Sequence, residues 1–272
     1  MELSSKSRFT PTQILDKIQS AQELALTQSG RSSHCDVDCL ETLLNGKMDL
    51  QGLMPWSSNY TFLANLSTKD DQTLLGIYKP GEGERPLWDF PDRSLSKREF
   101  TSYLISQVLG WPNIPPTVLR NGPHGFGSLQ LFVEADYEAH YFNLRDMPAF
   151  IEDFRRMALF DFIANNADRK GGHCLKGKDG TIWAIDHGLT FHTDLKLRTV
   201  IWDFCDQPVA DALMADLDHL YTLMDGVELC ALLADFLTPR EIEALKKRVS
   251  TLVSTRHYPT ARLGRNVPYP PI

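Results

Sequence analysis

No stretch of the chain stays apolar for the ~18–20 residues that a membrane-spanning helix requires, so any contact with lipid is expected from the surface. Cysteine is sparse. Cys35, Cys39, Cys174, Cys205 and Cys230 are odd in number and far apart, which argues against a secreted disulfide framework. His34, Cys35 and Cys39 lie close together but lack the second ligand pair that a structural zinc site needs. A basic excess is also missing. Lys and Arg total 28 against 35 for Asp and Glu, a formal charge of -7. That balance speaks against a general nucleic-acid binder, while leaving room for a local phosphate pocket. The opening residues, Met1 to Lys6, have no apolar core of a signal peptide. These absences predict a soluble, cytoplasmic chain.

What is present is ordinary for a globular protein: 272 residues, 42% hydrophobic and 23% charged. The length allows one large domain, or two lobes sharing a cleft, with a core that needs no staples. Thr10-Pro11-Thr12-Gln13 reads as a capped helix start, with Ile14, Ile18 and Ala21 following at helical spacing. Residues 27–50 read as a loop with one short helix near Leu40–Leu44. Strands are predicted over 60–66 and 74–80, around a Lys69-Asp70-Asp71 turn, then a loop over 81–92 and a helix from Ser96 to Leu109, ended by Gly110. Val118 and Leu129–Val133 supply further strands. From Met147 the pattern turns helical, with Phe150, Phe154, Met157 and Phe160 on a buried face. A Lys178-Asp179-Gly180 turn separates short strands at 174–176 and 182–185. Helices are expected over 207–224 and 227–236, and a last one behind the Thr238-Pro239-Arg240-Glu241 capping box. The predicted organisation is a helical extension over 1–50, a β-rich lobe over 51–135, a helical lobe over 136–256 and an irregular tail over 257–272. The fold class is α+β.

Four positions carry chemistry. Lys79 closes an apolar strand, where an ammonium can meet phosphate oxygens. Glu99 lies on the next helix, and a strand lysine paired with a helix glutamate is the arrangement protein kinases use. Asp168 follows an apolar helix in Asn165-Asn166-Ala167-Asp168-Arg169, ahead of Gly171-Gly172-His173, where glycines permit close backbone approach. Asp186 leaves the end of a buried strand in Ile185-Asp186-His187-Gly188, as a hard cation needs. Each has a plainer reading: a solvated strand-end lysine, a solvated helix glutamate beside Arg98, a polar turn, and a strand-end aspartate capping a turn. Their order along the chain favours phosphoryl transfer.

These residues resemble the type II phosphatidylinositol 4-kinases. Asn166-Ala167-Asp168-Arg169 is similar to their Asn-Thr-Asp-Arg catalytic loop, and Asp186-His187-Gly188-Leu189-Thr190-Phe191 to their Asp-Asn-Gly-Leu-Ala-Phe metal motif. Tyr78-Lys79-Pro80 resembles their Phe-Lys-Pro, Arg98-Glu99 with Tyr103-Leu104 their Arg-Glu…Tyr-Leu helix, and Ile114-Pro115-Pro116-Thr117 their Val-Pro-x-Thr. HipA-like kinases and secretory-pathway casein kinases share the broad pattern, and a bacterial phosphatidylinositol-kinase-like family is nearest. The resemblance implies a two-lobed protein-kinase-like fold that binds ATP and Mg2+. Lys79 would contact the phosphates and Glu99 would orient it. Asp168, with Arg169 beside it, would form the catalytic loop. Asp186 and His173 would hold the metal. Leu131, Val133 and Glu134 would form the hinge beside adenine. Ser58 and Asn59 would stand in the phosphate-covering loop.

Two departures matter. His173 replaces a metal-binding asparagine, which opens the site to Mn2+. The stretch Ser57-Ser58-Asn59-Tyr60 lacks the family's glycines. The expected activity is transfer of the γ-phosphate to a hydroxyl on a protein or small molecule. The alternative is a nucleotide-binding pseudokinase acting as an interaction or regulatory module.

Overall fold

The structure is a computed structural model that describes residues 9–25, 37–55, 59–68, 73–261 and 264–272. Helix α1 (Pro11–Glu23) opens as the sequence predicts. The Gln13 N–H donates to Thr10 Oγ1 at 3.2 Å, and Gln13 Oε1 accepts the Thr10 N–H at 2.8 Å. Helix α2 (Val37–Asn45) is longer than the expected short helix, and strand β1 (Lys47–Leu53) follows it unpredicted. β1 is an edge strand whose Met48 and Leu50 are half-buried against the core while Lys47, Asp49 and Gln51 face solvent. The sheet therefore begins at Lys47, ahead of the lobe start expected at residue 51.

Strands β2 (Phe62–Ser67) and β3 (Thr73–Pro80) form the expected pair; the turn predicted between them, at Lys69-Asp70-Asp71, lies outside the described residues. Helix α3 (Leu95–Leu109) ends at Gly110, whose φ of 72° is the left-handed conformation that a side chain disfavours. Almost all of α3 is buried, Arg98 and Glu99 included, so its whole circumference packs rather than one stripe. Strands β4 (Thr117–Gly122) and β5 (Gly125–Leu131) complete an antiparallel sheet in the order β1-β2-β3-β5-β4. β5 stops at Leu131, not at the predicted Val133.

The pairing of β3 with β5 sets Lys79 opposite Ser128. Beside that pair, a Cβ at Gly127 would stand 2.2 Å from the Lys79 carbonyl oxygen, a contact between two backbones that cannot yield cheaply. Gly127→Ala is expected to cost about 1–3 kcal/mol, the range for overpacking. Urea unfolding measures it, and an unchanged midpoint would show that the strands part freely here.

The chain then forms β6 (Ala135–Asp136), a short α4 (Tyr141–Leu144), α5 (Ile151–Ala164), β7 (Cys174–Gly177) and β8 (Ile182–Ala184), with β6, β7 and β8 in a second small sheet. The remainder is α6 (Asp211–Asp225), α7 (Glu228–Leu233) and α8 (Pro239–Thr255). α6 starts later than predicted because Gln207 precedes Pro208, which disfavours helical backbone, and Pro208 instead bridges to His257. α7 stops at Leu233 rather than Phe236. α8 carries its predicted capping box, Thr238 with Glu241.

One continuous core joins sheet and helices through residues such as Leu66, Tyr78, Phe100, Phe160, Leu217 and Leu245. The tail is irregular as expected but docked: Gly171 donates its N–H to the Pro271 carbonyl at 2.7 Å, and Thr199 to that of Asn266 at 3.0 Å. Among the described residues, no helix is long and apolar enough to cross a membrane.

Candidate active site

Alternation along β3 turns Tyr78 into the core and Lys79 toward a cleft of about 310 Å³. There the Lys79 ammonium donates to Glu99 Oε1 at 2.5 Å and to Asp186 Oδ1 at 2.8 Å. Three residues far apart in sequence thus meet at one point. Glu99 uses its second oxygen to accept the His187 N–H at 3.0 Å, tying α3 to the segment that carries Asp186. Burial works against the charge on Lys79, but Asp186 and Glu99 outweigh it and hold the ammonium above the usual lysine range. For Asp186 burial is again opposed, by Lys79 and His173, and its carboxyl sits well below the usual range.

Asp186 adopts φ 59°, the left-handed region that aspartate tolerates better than most residues. The conformation follows directly from the end of β8 and leaves 47% of the side chain exposed in the cleft. His173 Nε2 lies 3.4 Å from Asp186 Oδ2. Burial pushes the imidazole down to about 4, with Arg169 and Lys170 adding to the effect, so it is neutral near pH 7.

Asp168 lines the same cleft. Its N–H donates to Asn166 Oδ1 at 3.0 Å, and Asn166 Nδ2 donates to Asp161 Oδ1 at 3.1 Å, so a buried carboxylate fixes the loop from behind. Burial pushes the Asp168 carboxyl up to about 6, against the pull of Lys170, whose ammonium is 3.5 Å away.

Arg169, grouped with Asp168 in the sequence, does not reach the cleft. It is fully buried and bonds Asp161 through Nε at 3.0 and 3.1 Å, the Ile185 carbonyl at 2.8 Å and His187 Nε2 at 2.6 Å. Its geometry is that of a brace joining the Asp168 loop to the Asp186 strand. Of the expected hinge, Leu131 and Val133 line the cleft, whereas Glu134 points outward and pairs with Lys178. Asn59 lines the cleft and accepts the Arg85 N–H at 2.9 Å; Ser58 lies outside the described residues. The zinc idea at His34 and Cys35 also falls outside them, and among the described residues no group of three or more metal-ligating side chains occurs.

Three cleft residues were not anticipated. Glu84 caps the start of α3, accepting the N–H groups of Leu95 at 3.2 Å and Ser96 at 3.1 Å. Lys170 adds a cation beside Asp168, and Gln130 donates to Thr117 Oγ1 at 2.8 Å in the cleft wall. A lysine two positions after a loop aspartate was visible in the sequence; nothing local marked Glu84 or Gln130.

The antiparallel sheet, the helical remainder and the shared cleft define a protein of the kinase-like fold. In agreement, the solved structure of hydra Fam20 with sugar superposes with a TM-score of 0.50 at 13% identity, over 88% of this chain and 93% of that one. No family model matches the chain. Protein Rv2133c of Mycobacterium tuberculosis is 36% identical over 261 residues, covering 84% of this chain and 93% of its own length. The chain belongs to the family of that bacterial protein. It is also a distant homologue of the plant phosphatidylinositol 4-kinases gamma: gamma 2 of Arabidopsis thaliana is 23% identical over 188 residues, and this chain spans 34% of its length.

Proposed function

We propose that the protein is an ATP-dependent phosphotransferase acting on a hydroxyl of a protein or small molecule. The observation that carries this reading is the convergence of Lys79, Glu99 and Asp186 at one point of a cleft that Asp168 also lines. Lys79 would bind phosphate oxygens and Glu99 would hold it there. Leu131 and Val133 would flank adenine. The Val133 N–H has no partner among the described residues and remains available to the base.

The residues present fit a hard cation. Asp186 offers a half-exposed carboxylate and His173 a neutral nitrogen, and magnesium takes one or two protein ligands with the rest from phosphates and water. The His173 nitrogen widens the choice toward manganese. When bound, the cation neutralises charge on the β- and γ-phosphate oxygens. The acceptor oxygen attacks Pγ in line, the new O–P bond forms as the bond to the bridging oxygen breaks, and ADP leaves with that electron pair. Asp168 orients the hydroxyl and receives its proton. Arg169 and Asp161 keep the loop in place.

Thermal-shift titration with ATP and Mg2+, paired with an assay of ADP formation, tests the reading. Lys79→Met is expected to remove both responses. A melting shift with no turnover in the native protein would favour the pseudokinase alternative, for which the glycine-poor stretch before Tyr60 argues.

The pKa of Asp168 predicts a pH profile. A carboxyl raised to about 6 is protonated below that value and cannot take a proton, so kcat/KM should fall as pH drops through about 6. Lys170→Ala removes an opposing cation and should move the limb to higher pH. A flat profile between pH 5 and 7 would exclude Asp168 as the proton acceptor.

A further inference from the structure

A second cavity, about 420 Å³ in volume, opens between the segment over 195–206, the end of α8 and the first residues after it. That volume falls in the range of small-molecule sites, roughly 300–1,000 Å³. Four cationic or basic side chains line it, Lys196, Arg198, His257 and Arg265, against one carboxylate, Asp206. Lys196 is already engaged, 2.6 Å from Asp89. Among the described residues, neither the Arg198 nor the Arg265 side chain has a hydrogen-bond or ion-pair partner. Arg198 is half-buried and Arg265 exposed, and neither guanidinium meets an anion among the described residues. In a chain with a formal charge of -7, two unpaired arginines lining one cavity concentrate positive charge there. Trp202 and the buried Tyr258 add flat apolar walls.

The cavity is tied to the catalytic loop. Arg198 donates its N–H to the Asn166 carbonyl at 2.9 Å and accepts the Arg169 N–H at 2.9 Å, a strand-like pairing on either side of Asp168. Its charge is close enough to Asp168 to act on that carboxyl. An anion held by Arg198 would therefore lie within electrostatic reach of Asp168, which lines the neighbouring cleft.

We propose that this cavity binds the phosphoryl acceptor, and that the acceptor is a small soluble molecule carrying both a phosphate group and a free hydroxyl. The assignment rests on the phosphotransferase reading and names its second substrate. Arginine takes a phosphate through two parallel hydrogen bonds, which fixes orientation as well as affinity. The volume suits a metabolite better than a peptide, and the chain's acidity disfavours an anionic membrane surface.

The test is calorimetric titration of inorganic phosphate into the native protein, an Arg198→Gln/Arg265→Gln double variant and Lys79→Met, with the ATP-dependent thermal shift measured on all three. Phosphate is expected to bind the native protein and Lys79→Met alike, and the double variant about tenfold or more weakly. The thermal shift should survive in the double variant and vanish in Lys79→Met. Equal phosphate binding by the double variant with an intact ATP shift overturns the cavity alone. Phosphate binding lost in Lys79→Met places the anion in the nucleotide cleft and also overturns it. No ATP shift in the native protein sinks the kinase reading, and the acceptor role with it. Capture by phosphatidylcholine vesicles doped with phosphatidic acid, dependent on the two arginines, would overturn the soluble assignment.

Discussion

Asp168→Asn is expected to lower phosphoryl transfer by about 100-fold or more while leaving the ATP-dependent thermal shift in place. The separation follows from geometry. The carboxylate of Asp168 takes no part in the cluster of Lys79, Glu99 and Asp186, and its only side-chain ion pair among the described residues is with Lys170. The loop is held by the Asp168 N–H on Asn166 and by Arg169 on Asp161, none of which needs the Asp168 side chain. Asparagine keeps the shape, so what is lost is the proton acceptor and its charge. Asp186→Asn should behave differently. It removes a partner of both Lys79 and His173, so metal-dependent nucleotide binding and turnover should fall together. Initial rates of ADP formation and melting shifts on the two variants check this. An Asp168→Asn protein that keeps more than a tenth of native turnover would end the assignment.

How much of this was legible beforehand depended on whether a residue's partner is set by local pattern. Lys79 and Glu99 were, because a strand end and the next helix can only present a few positions to each other. Asp168 and Asp186 were, because each ends an apolar element. Arg169 was misjudged: its place beside Asp168 said nothing of its direction, which the buried Asp161 decides. A hint existed, since a carboxylate inside Leu159-Phe160-Asp161-Phe162-Ile163 is costly unless paired, and Arg169 is one of the few cations near it in the chain. Strand β1 stayed hidden because its alternation is short, with only Met48 and Leu50 set between Lys47, Asp49 and Gln51. Glu134 was assigned by proximity to Leu131 and Val133, yet the strand ends at Leu131, and the chain turns that side chain toward Lys178. The sequence left open whether Arg98 or Glu99 faces inward. Both do, because α3 is covered all round.

That double burial sets up the largest stability effect. Arg98 is 2% exposed, pairs with Glu241 at the start of α8, donates to the Thr190 carbonyl at 2.5 Å and lies 4.9 Å from the Phe90 ring centre. Burial opposes charge on Glu241, but the Thr238 N–H and Arg98 outweigh it and hold its carboxyl below the usual range, so the pair is ionic at neutral pH. Removing one partner of a buried pair costs about 3–5 kcal/mol because the other charge is stranded. Glu241→Gln isolates that cost, since glutamine can still close the capping box with Thr238. At about 3 kcal/mol, the fall in Tm should be roughly 6–12 °C. Arg98→Met combined with Glu241→Gln should recover part of the loss, because no charge is then left buried. If the double variant is as unstable as the sum of the singles, the two residues are not coupled, and the link between α3 and α8 is packing alone. The pair also reaches function. Arg98 adjoins Glu99 on one side and holds Thr190, four residues past Asp186, on the other. Glu241→Gln should therefore raise KM for ATP through a loosened Lys79 contact, with a smaller effect on kcat. It should also flatten the acid side of the stability curve. A depressed carboxyl stabilises above its unfolded pKa, and that stability is lost as pH falls through the lower folded value; the glutamine variant has none of it to lose.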